Sequence, residues 1–269
     1  MDWGLKNRLS RIIQTDDNRC LMLAVDHGYF LGPITGLEQP KETVVPLMPY
    51  ADALMLTRGL LRRCIPPECG RIPIVLRMSG ATSIERNELP DEGLTMSFED
   101  AVRLNASAVT LSIFVGTDYE RQTLLALSEL VDLGEEFGIP VLAVTAVGRE
   151  LGKKDARYLS LACRIAAEQG AHFVKTYFCD DFEQVTRTAM IPVVIAGGKK
   201  CETEMDVFEM AWQALEQGAV GVDMGRNIFQ NPHPVAMIRA VRSIVHEGSK
   251  PKDALALYNE LRNEATVSA

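Results

Sequence analysis

Short apolar runs recur along the chain at the spacing of one strand plus one helix. CLMLAVD (20–26), ADALMLT (51–57), IPIVLRMSG (72–80), AVTLSIF (108–114), IPVLAVTAV (139–147), HFVKTYF (172–178), IPVVIAGG (191–198) and AVGVDMG (219–225) carry few polar interruptions. Strands covered on both faces read this way. The stretches between them follow a helical period. QPKETVVPLM (39–48) predicts a short helix, and SFEDAVRLN (97–105) a helix opened by Ser97 with Glu99 and Asp100 in its first turn. YERQTLLALSELVDLGEEFG is a long helix that Gly138 closes; RYLSLACRIAAEQG (157–170), TEMDVFEMAWQALEQG (203–218) and HPVAMIRAVRSIVHEG (233–248) follow. CDDFEQVTRTA separates the sixth and seventh strands, and 58–71 reads either as one of eight helices or as an irregular connection. MDWGLKNRLSRIIQTDD is helical in character, and KDALALYNELRNEA is an extra C-terminal helix.

Eight strands alternating with helices predict a (β/α)8 TIM barrel, with a short N-terminal helix and an extra C-terminal one. At 269 residues the chain suits a single barrel domain spanning 1–269, and no Pro/Ser/Gly-rich linker divides it. A doubly wound sheet is the rival. It would carry a G-x-G-x-x-G turn after its first strand, and none follows CLMLAVD.

Composition narrows the partners more than the fold. A net charge of −8 argues against nucleic acid, which asks for a basic stripe. No run approaches the length of a membrane span and no secretory h-region opens the chain, so the expectation is a cytoplasmic protein without membrane contact. The six scattered cysteines read as reduced thiols, several of them small hydrophobes within apolar runs.

In a barrel, chemistry belongs to the C-terminal ends of the strands. Asp26, Arg77, Ser79, Lys175, Gly197, Gly198 and the run Asp223-Met224-Gly225-Arg226 fall there, whereas His172 opens its strand at the other end. Alternation that turns Lys175 inward also turns Phe173 and Tyr177 inward. An ammonium among packed side chains is costly to desolvate, which favours the nucleophilic amine and suits Schiff-base chemistry on a ketone. The alternative is a lysine paired with a carboxylate such as Asp223, which itself either tunes the lysine or braces Arg77. Asp26 faces the barrel mouth above Ala24, where a carboxylate can move protons or, alternatively, cap the turn at His27-Gly28. His27 either orients a substrate or packs under the loop.

Gly197-Gly198 and Gly225-Arg226, ending adjacent strands shortly before helices, predict a phosphate seat in which Arg226 contributes its guanidinium. Lys199 and Lys200 either assist or are solvated. A catalytic metal is not expected: of the four histidines, His27, His172, His233 and His246, no three converge at the mouth. The Met, Phe and Trp positions of VFEMAWQALEQ and PVAMIRAVRSIV read as the stripe facing the strands.

LAVDHGYFLGPITGLE, ADALMLTRGLLR, VLRMSGATSI, LAVTAVG, VKTYF, VVIAGGKK and GVDMGRNIFQNPHPVAMIRAV together resemble the class I aldolase family that contains archaeal-type fructose-bisphosphate aldolase. The likeness runs from DWGLKNRLSRI to the C-terminal helix and is strongest to the branch that processes autoinducer-2. It implies Lys175 as the Schiff-base lysine, Asp26 as a proton-handling group, and phosphate binding at the glycine ends of strands seven and eight. It further implies no permanently bound cofactor, coenzyme A as co-substrate, and acetyl transfer from a phosphorylated five-carbon dione to give glycerone phosphate and acetyl-CoA. A ring-like homo-oligomer, in the form of a decamer, is implied too, with Tyr258, Leu255 and Leu261 placed to serve a neighbouring subunit. A longer N-terminal segment of those enzymes is expected to have no counterpart here. One position departs from the archaeal-type pattern. Ala146 stands where those aldolases carry a strand-five acid/base tyrosine, which favours the thiolase pattern over a plain aldolase or transaldolase. A barrel that binds a sugar phosphate without catalysis is the alternative from another class.

Overall fold

The computed structural model describes residues 1–86, 89–146 and 155–267. Eight parallel strands close into a barrel: β1 Cys20–Ala24, β2 Ala53–Thr57, β3 Ile74–Arg77, β4 Ala108–Ile113, β5 Val141–Thr145, β6 Phe173–Tyr177, β7 Val193–Ala196 and β8 Gly221–Met224. The pairing of Cys20 with Gly221 joins β1 to β8, and a Cβ at Gly221 would lie 1.9 Å from the Cys20 carbonyl oxygen. Only glycine fits that closure. Val147 and Gly148, which the sequence patterns included, lie outside the described residues.

Alternation sorts the side chains into two cores. Met22, Ala24, Ala53, Met55, Val75, Ala108, Leu142, Phe173 and Val194 fill the interior. Leu21, Leu23, Leu54, Leu56, Val109, Leu111, Val174 and Ile195 face the helices. The N-terminal helix Trp3–Ile12 lies across the lower end, where Ile12 and Ile13 join the interior cluster and seal it. Among the described residues, the cavity that reaches the interior lies at the carboxyl ends.

Several connections are more regular, or more broken, than the periodicity suggests. Residues 58–71 contain a helix, Arg58–Cys64, capped by Thr57 Oγ1, and a 3-10 turn, Pro67–Cys69. The 39–48 segment splits into the α-helix Pro40–Val44 and a 3-10 helix, Val45–Tyr50, because Pro46 and Pro49 supply no backbone donor. CDDFEQVTRTA holds the helix Phe182–Thr188, which buries Phe182 and Val185. After Arg77 the chain leaves the barrel, and Ser79–Gly80 pairs antiparallel with Gly93–Leu94. This excursion becomes one wall of the site.

The terminal helix Pro251–Val267 corrects one expectation. Tyr258 is 2% exposed, donates to Asn231 Oδ1 at 3.0 Å and meets the Phe208 ring edge-on at 6.4 Å. Leu255 and Leu261 are partly buried against the same core. These residues hold the helix to its own barrel, so Tyr258 is not available to a neighbour.

Two of the remaining histidines serve the scaffold. His172, at the lower end as expected, accepts from Val141 N through Nδ1 at 3.0 Å and meets Glu135 through Nε2 at 3.2 Å. His246 lies between Asp17 and Asp52, at 2.6 and 2.7 Å.

Candidate active site

The inward face of β6 carries Phe173, Lys175 and Tyr177 upward from the packed interior. Lys175 sits above the apolar plug with its Nζ 2.8 Å from Asp223 Oδ2 on β8. Asp223 is fully buried, and its other oxygen has no hydrogen-bond partner among the described residues. Burial pushes the Asp223 carboxyl above the ordinary range, although Lys175 pulls it down. Such a carboxyl is a ready acceptor for the ammonium's proton. Of the two roles open to Asp223, the structure selects the lysine and not Arg77.

Asp26 extends from the end of β1 toward the same space. Its Oδ2 accepts from Arg77 Nε at 2.9 Å, and His27 Nδ1 lies 4.0 Å from Oδ1. Burial alone would raise this carboxyl; Arg77 first, then His27 and Lys175, outweigh it and hold Asp26 below its usual value. The turn after Asp26 is closed by backbone, from Tyr29 N to Asp26 O at 3.2 Å, which leaves the carboxylate to Arg77. Arg77 is 6% exposed and also donates to Ser112 Oγ at 2.8 Å. His27 packs edge-on against Phe229 at 5.5 Å. Burial drives its pKa down to about 4 against the opposing pull of Asp26, and its Nδ1 has no partner among the described residues. At neutral pH the ring is therefore uncharged and offers one donor and one acceptor.

These groups border a cavity of about 230 Å³ at the carboxyl ends, whose rim includes Tyr29, Phe114, Ala146, Tyr177, Gly197, Gly198, Gly225 and Arg226. Val144 on β5 pairs with Lys175, so Ala146 is the next inward position beside Tyr177 and presents only a methyl group there. On the β7–β8 side, Arg226 Nη2 donates to Gly198 O at 2.7 Å, while its buried Nε has no partner among the described residues. Gly198 has φ +67°, which glycine adopts without strain. A Cβ on Gly225 would lie 2.2 Å from Ala24 O and 2.5 Å from His27 Cε1. Asn227 donates to Gly197 O at 2.7 Å and accepts from Cys201 N at 2.8 Å, tying the two glycine turns together. Lys200 turns away to Gln230 O at 2.8 Å.

Residues 20–231 match the model of the DeoC/LacD family aldolases. The chain belongs to the DeoC/LacD aldolase family. It is 50% identical over 261 residues to the 3-hydroxy-5-phosphonooxypentane-2,4-dione thiolase of Klebsiella pneumoniae, covering 97% of this chain and 87% of that protein. The thiolase of the same name from Escherichia coli K12 is 50% identical over 259 residues, covering 96% of this chain and 88% of that protein. Among solved structures, an archaeal fructose 1,6-bisphosphate aldolase superposes with a TM-score of 0.82 at 27% identity, covering 91% of this chain and all of that one. Another, with its catalytic Lys covalently bound to the carbinolamine intermediate of the substrate, gives a TM-score of 0.80 at 26% identity, covering 90% and 99% of the two chains.

In this DeoC/LacD aldolase, Lys175, Asp26, His27, Gly197, Gly198, Gly225 and Arg226 all border the one cavity. Lys199 does not, and Lys200 is occupied elsewhere. Sequence reasoning did not find Tyr29 and Glu92. Tyr29 donates to Glu92 Oε1 at 2.6 Å, and both line the cavity. Glu92 lies in a segment without periodicity, and its only signal is a carboxylate inside the long β3–helix connection. Arg77 and Ser112 sit on inward strand positions, where a polar residue amid apolar ones is the legible sign.

Proposed function

We propose that the chain is a class I, Schiff-base-forming enzyme that cleaves 3-hydroxy-5-phosphonooxypentane-2,4-dione with coenzyme A, giving acetyl-CoA and glycerone phosphate. The observation that carries the reading is the Lys175 amine, 2.8 Å from a buried carboxylate inside the cavity. Half-identity to the thiolases over nearly the whole chain supports the substrate, and hydroxyl-free Ala146 fits a site that does not run an ordinary retro-aldol step.

In this reading Asp223 takes the ammonium's proton and the free amine attacks C4, the ketone beside the phosphate-bearing carbon. Loss of water gives an iminium. The coenzyme A thiol, losing its proton to Asp26, adds to C2. The C2–C3 bond breaks, acetyl-CoA departs, and the electron pair flows into the iminium as an enamine. Asp26 returns the proton to C3, and hydrolysis of the imine frees glycerone phosphate and Lys175. His27, uncharged, donates a hydrogen bond to a substrate oxygen. Arg226 Nε, with Gly197, Gly198 and Gly225 beside it, receives the phosphate. In the same reading the enzyme works in the cytoplasm, where coenzyme A is at hand, as a homo-oligomer; Leu125 and Leu161 on the outer helices are exposed apolar side chains in keeping with it.

The assay supplies the dione with and without coenzyme A, and fructose bisphosphate in parallel. Turnover of the dione only with the thiol is the expected result. Turnover of fructose bisphosphate in place of the dione would overturn the reading in favour of a plain aldolase. Binding without turnover of either would leave a sugar-phosphate-binding barrel.

A further inference from the structure

Glu92 takes no part in the steps above, yet the residue is buried, 3% exposed. Oε2 accepts from Ser79 Oγ and Oε1 from the Tyr29 hydroxyl, both at 2.6 Å. Its backbone carbonyl accepts from Gln122 Nε2 at 2.6 Å, which pins the chain at Glu92 to the helix Glu120–Phe137. Ser79 Oγ lies 3.3 Å from Arg77 Nη1, and the Arg77 guanidinium lies 5.1 Å from the centre of the Tyr29 ring. Arg77 therefore stands between two carboxylates: Asp26, which it touches, and Glu92, which it reaches through Ser79 and over Tyr29.

Holding a wall in place needs hydrogen bonds but no buried charge. Electrostatics supplies the reason for one. In dry surroundings a guanidinium with Asp26 as its sole counter-charge would grip that carboxylate in its ionised form and oppose proton uptake. A second anion on the far side of Arg77 weakens that grip. We propose that Glu92 is a positioning residue that balances Arg77 from behind and so leaves Asp26 able to accept and return a proton. The inference rests on the reading of Asp26 as the proton relay.

The test uses a reaction that needs no thiol. Glycerone phosphate condensed on Lys175 exchanges a hydrogen on its hydroxymethyl carbon with solvent D2O, and Asp26 carries that proton. Exchange is followed by NMR, and imine formation by the mass of the borohydride-reduced adduct on Lys175. In Glu92→Gln, exchange is expected to slow by about tenfold or more, while adduct yield stays within about twofold and glycerone phosphate binds no more weakly, because the cavity has become less negative. Exchange within about twofold of wild type overturns the inference. So does an adduct yield that falls in step with exchange, the mark of a wall that has merely come loose. Should Glu92→Gln fail to fold, Glu92→Asp keeps the charge while drawing the carboxylate back from Ser79 and Tyr29. It is expected to keep exchange within about threefold of wild type at full adduct yield, and a tenfold loss of exchange there, showing that the bonds and not the charge matter, overturns the proposal. Wild-type exchange without coenzyme A-dependent cleavage of the dione would sink the substrate assignment alone and leave this comparison standing.

Discussion

Lys175 and Asp223 share one buried proton problem, and the solution dictates how each tolerates substitution. Asp223→Asn keeps the shape but removes the acceptor for the ammonium's proton. Imine formation with a ketone phosphate should slow by about 10- to 100-fold, read as the rate of borohydride-trapped adduct. The variant also leaves a buried ammonium without its counter-charge, at a cost of about 3 kcal/mol, visible in denaturant unfolding. His27 gives a sharper residue-scale expectation. Its pKa of about 4 lies below the ordinary histidine value, so the folded state binds its proton more weakly than the unfolded chain does. Its contribution to stability is full above about pH 6.5 and lost as pH falls toward 4. Imidazole NMR should find His27 neutral throughout pH 5.5–8, and a midpoint near 6.5 would contradict the burial argument.

The strands and their caps carry the next level. Gly225 ends β8 where Ala24 O, the His27 ring and Phe229 converge, and any side chain there must move all three. Gly225→Ala should destabilise by about 2 kcal/mol or more and displace His27, seen as a lower midpoint in urea together with a raised KM for the phosphorylated ketone. An unchanged KM would separate that turn from substrate binding. At this scale much is legible in the sequence itself. The 2.0 period turned Lys175 inward and put Asp26 above Ala24, and the same period placed Leu21, Leu23 and Val174 against the helices. What periodicity could not reach was the pairing of Ser79–Gly80 with Gly93–Leu94 and the place of Glu92 beside it. Glu92 is recruited by Tyr29, 63 residues away, and by Ser79, and no local pattern encodes a contact closed by tertiary structure. The helix Phe182–Thr188 registers only faintly for another reason: its seven residues make about two turns after an αL residue, Asp181, too few periods for a clear pattern. Tyr258 misled because an aromatic on a terminal helix looks unpartnered until Asn231 and Phe208 are seen beside it.

Across the whole molecule the two ends of the barrel divide stability from chemistry, as parallel (β/α)8 folds do. The lower end is plugged by Ile12 and Ile13 and clamped where His246 bridges Asp17 and Asp52, with Arg242 on the other oxygen of Asp52. Burial opposes the His246 charge, but the Asp52 and Asp17 bonds outweigh it and raise its pKa above the ordinary value. The clamp is thus fully present below about pH 6.5 and fades as pH rises through that raised value. Burial likewise opposes the Asp52 charge; His246, the Leu21 N–H and Arg242 overcome it and lower its pKa, so its share is present above about pH 3.9 and lost on acidification. Replacing His246 by Gln should lower the Tm most near pH 5 to 6 and least at pH 9, with activity per folded molecule unchanged. An equal loss at all pH values would contradict a charged clamp. At the upper end everything depends on one amine in one cavity. The most direct measurement is borohydride reduction in the presence of the phosphodione, followed by peptide mass mapping. The account predicts a single adduct on Lys175; no adduct, or one on any other lysine, would contradict it.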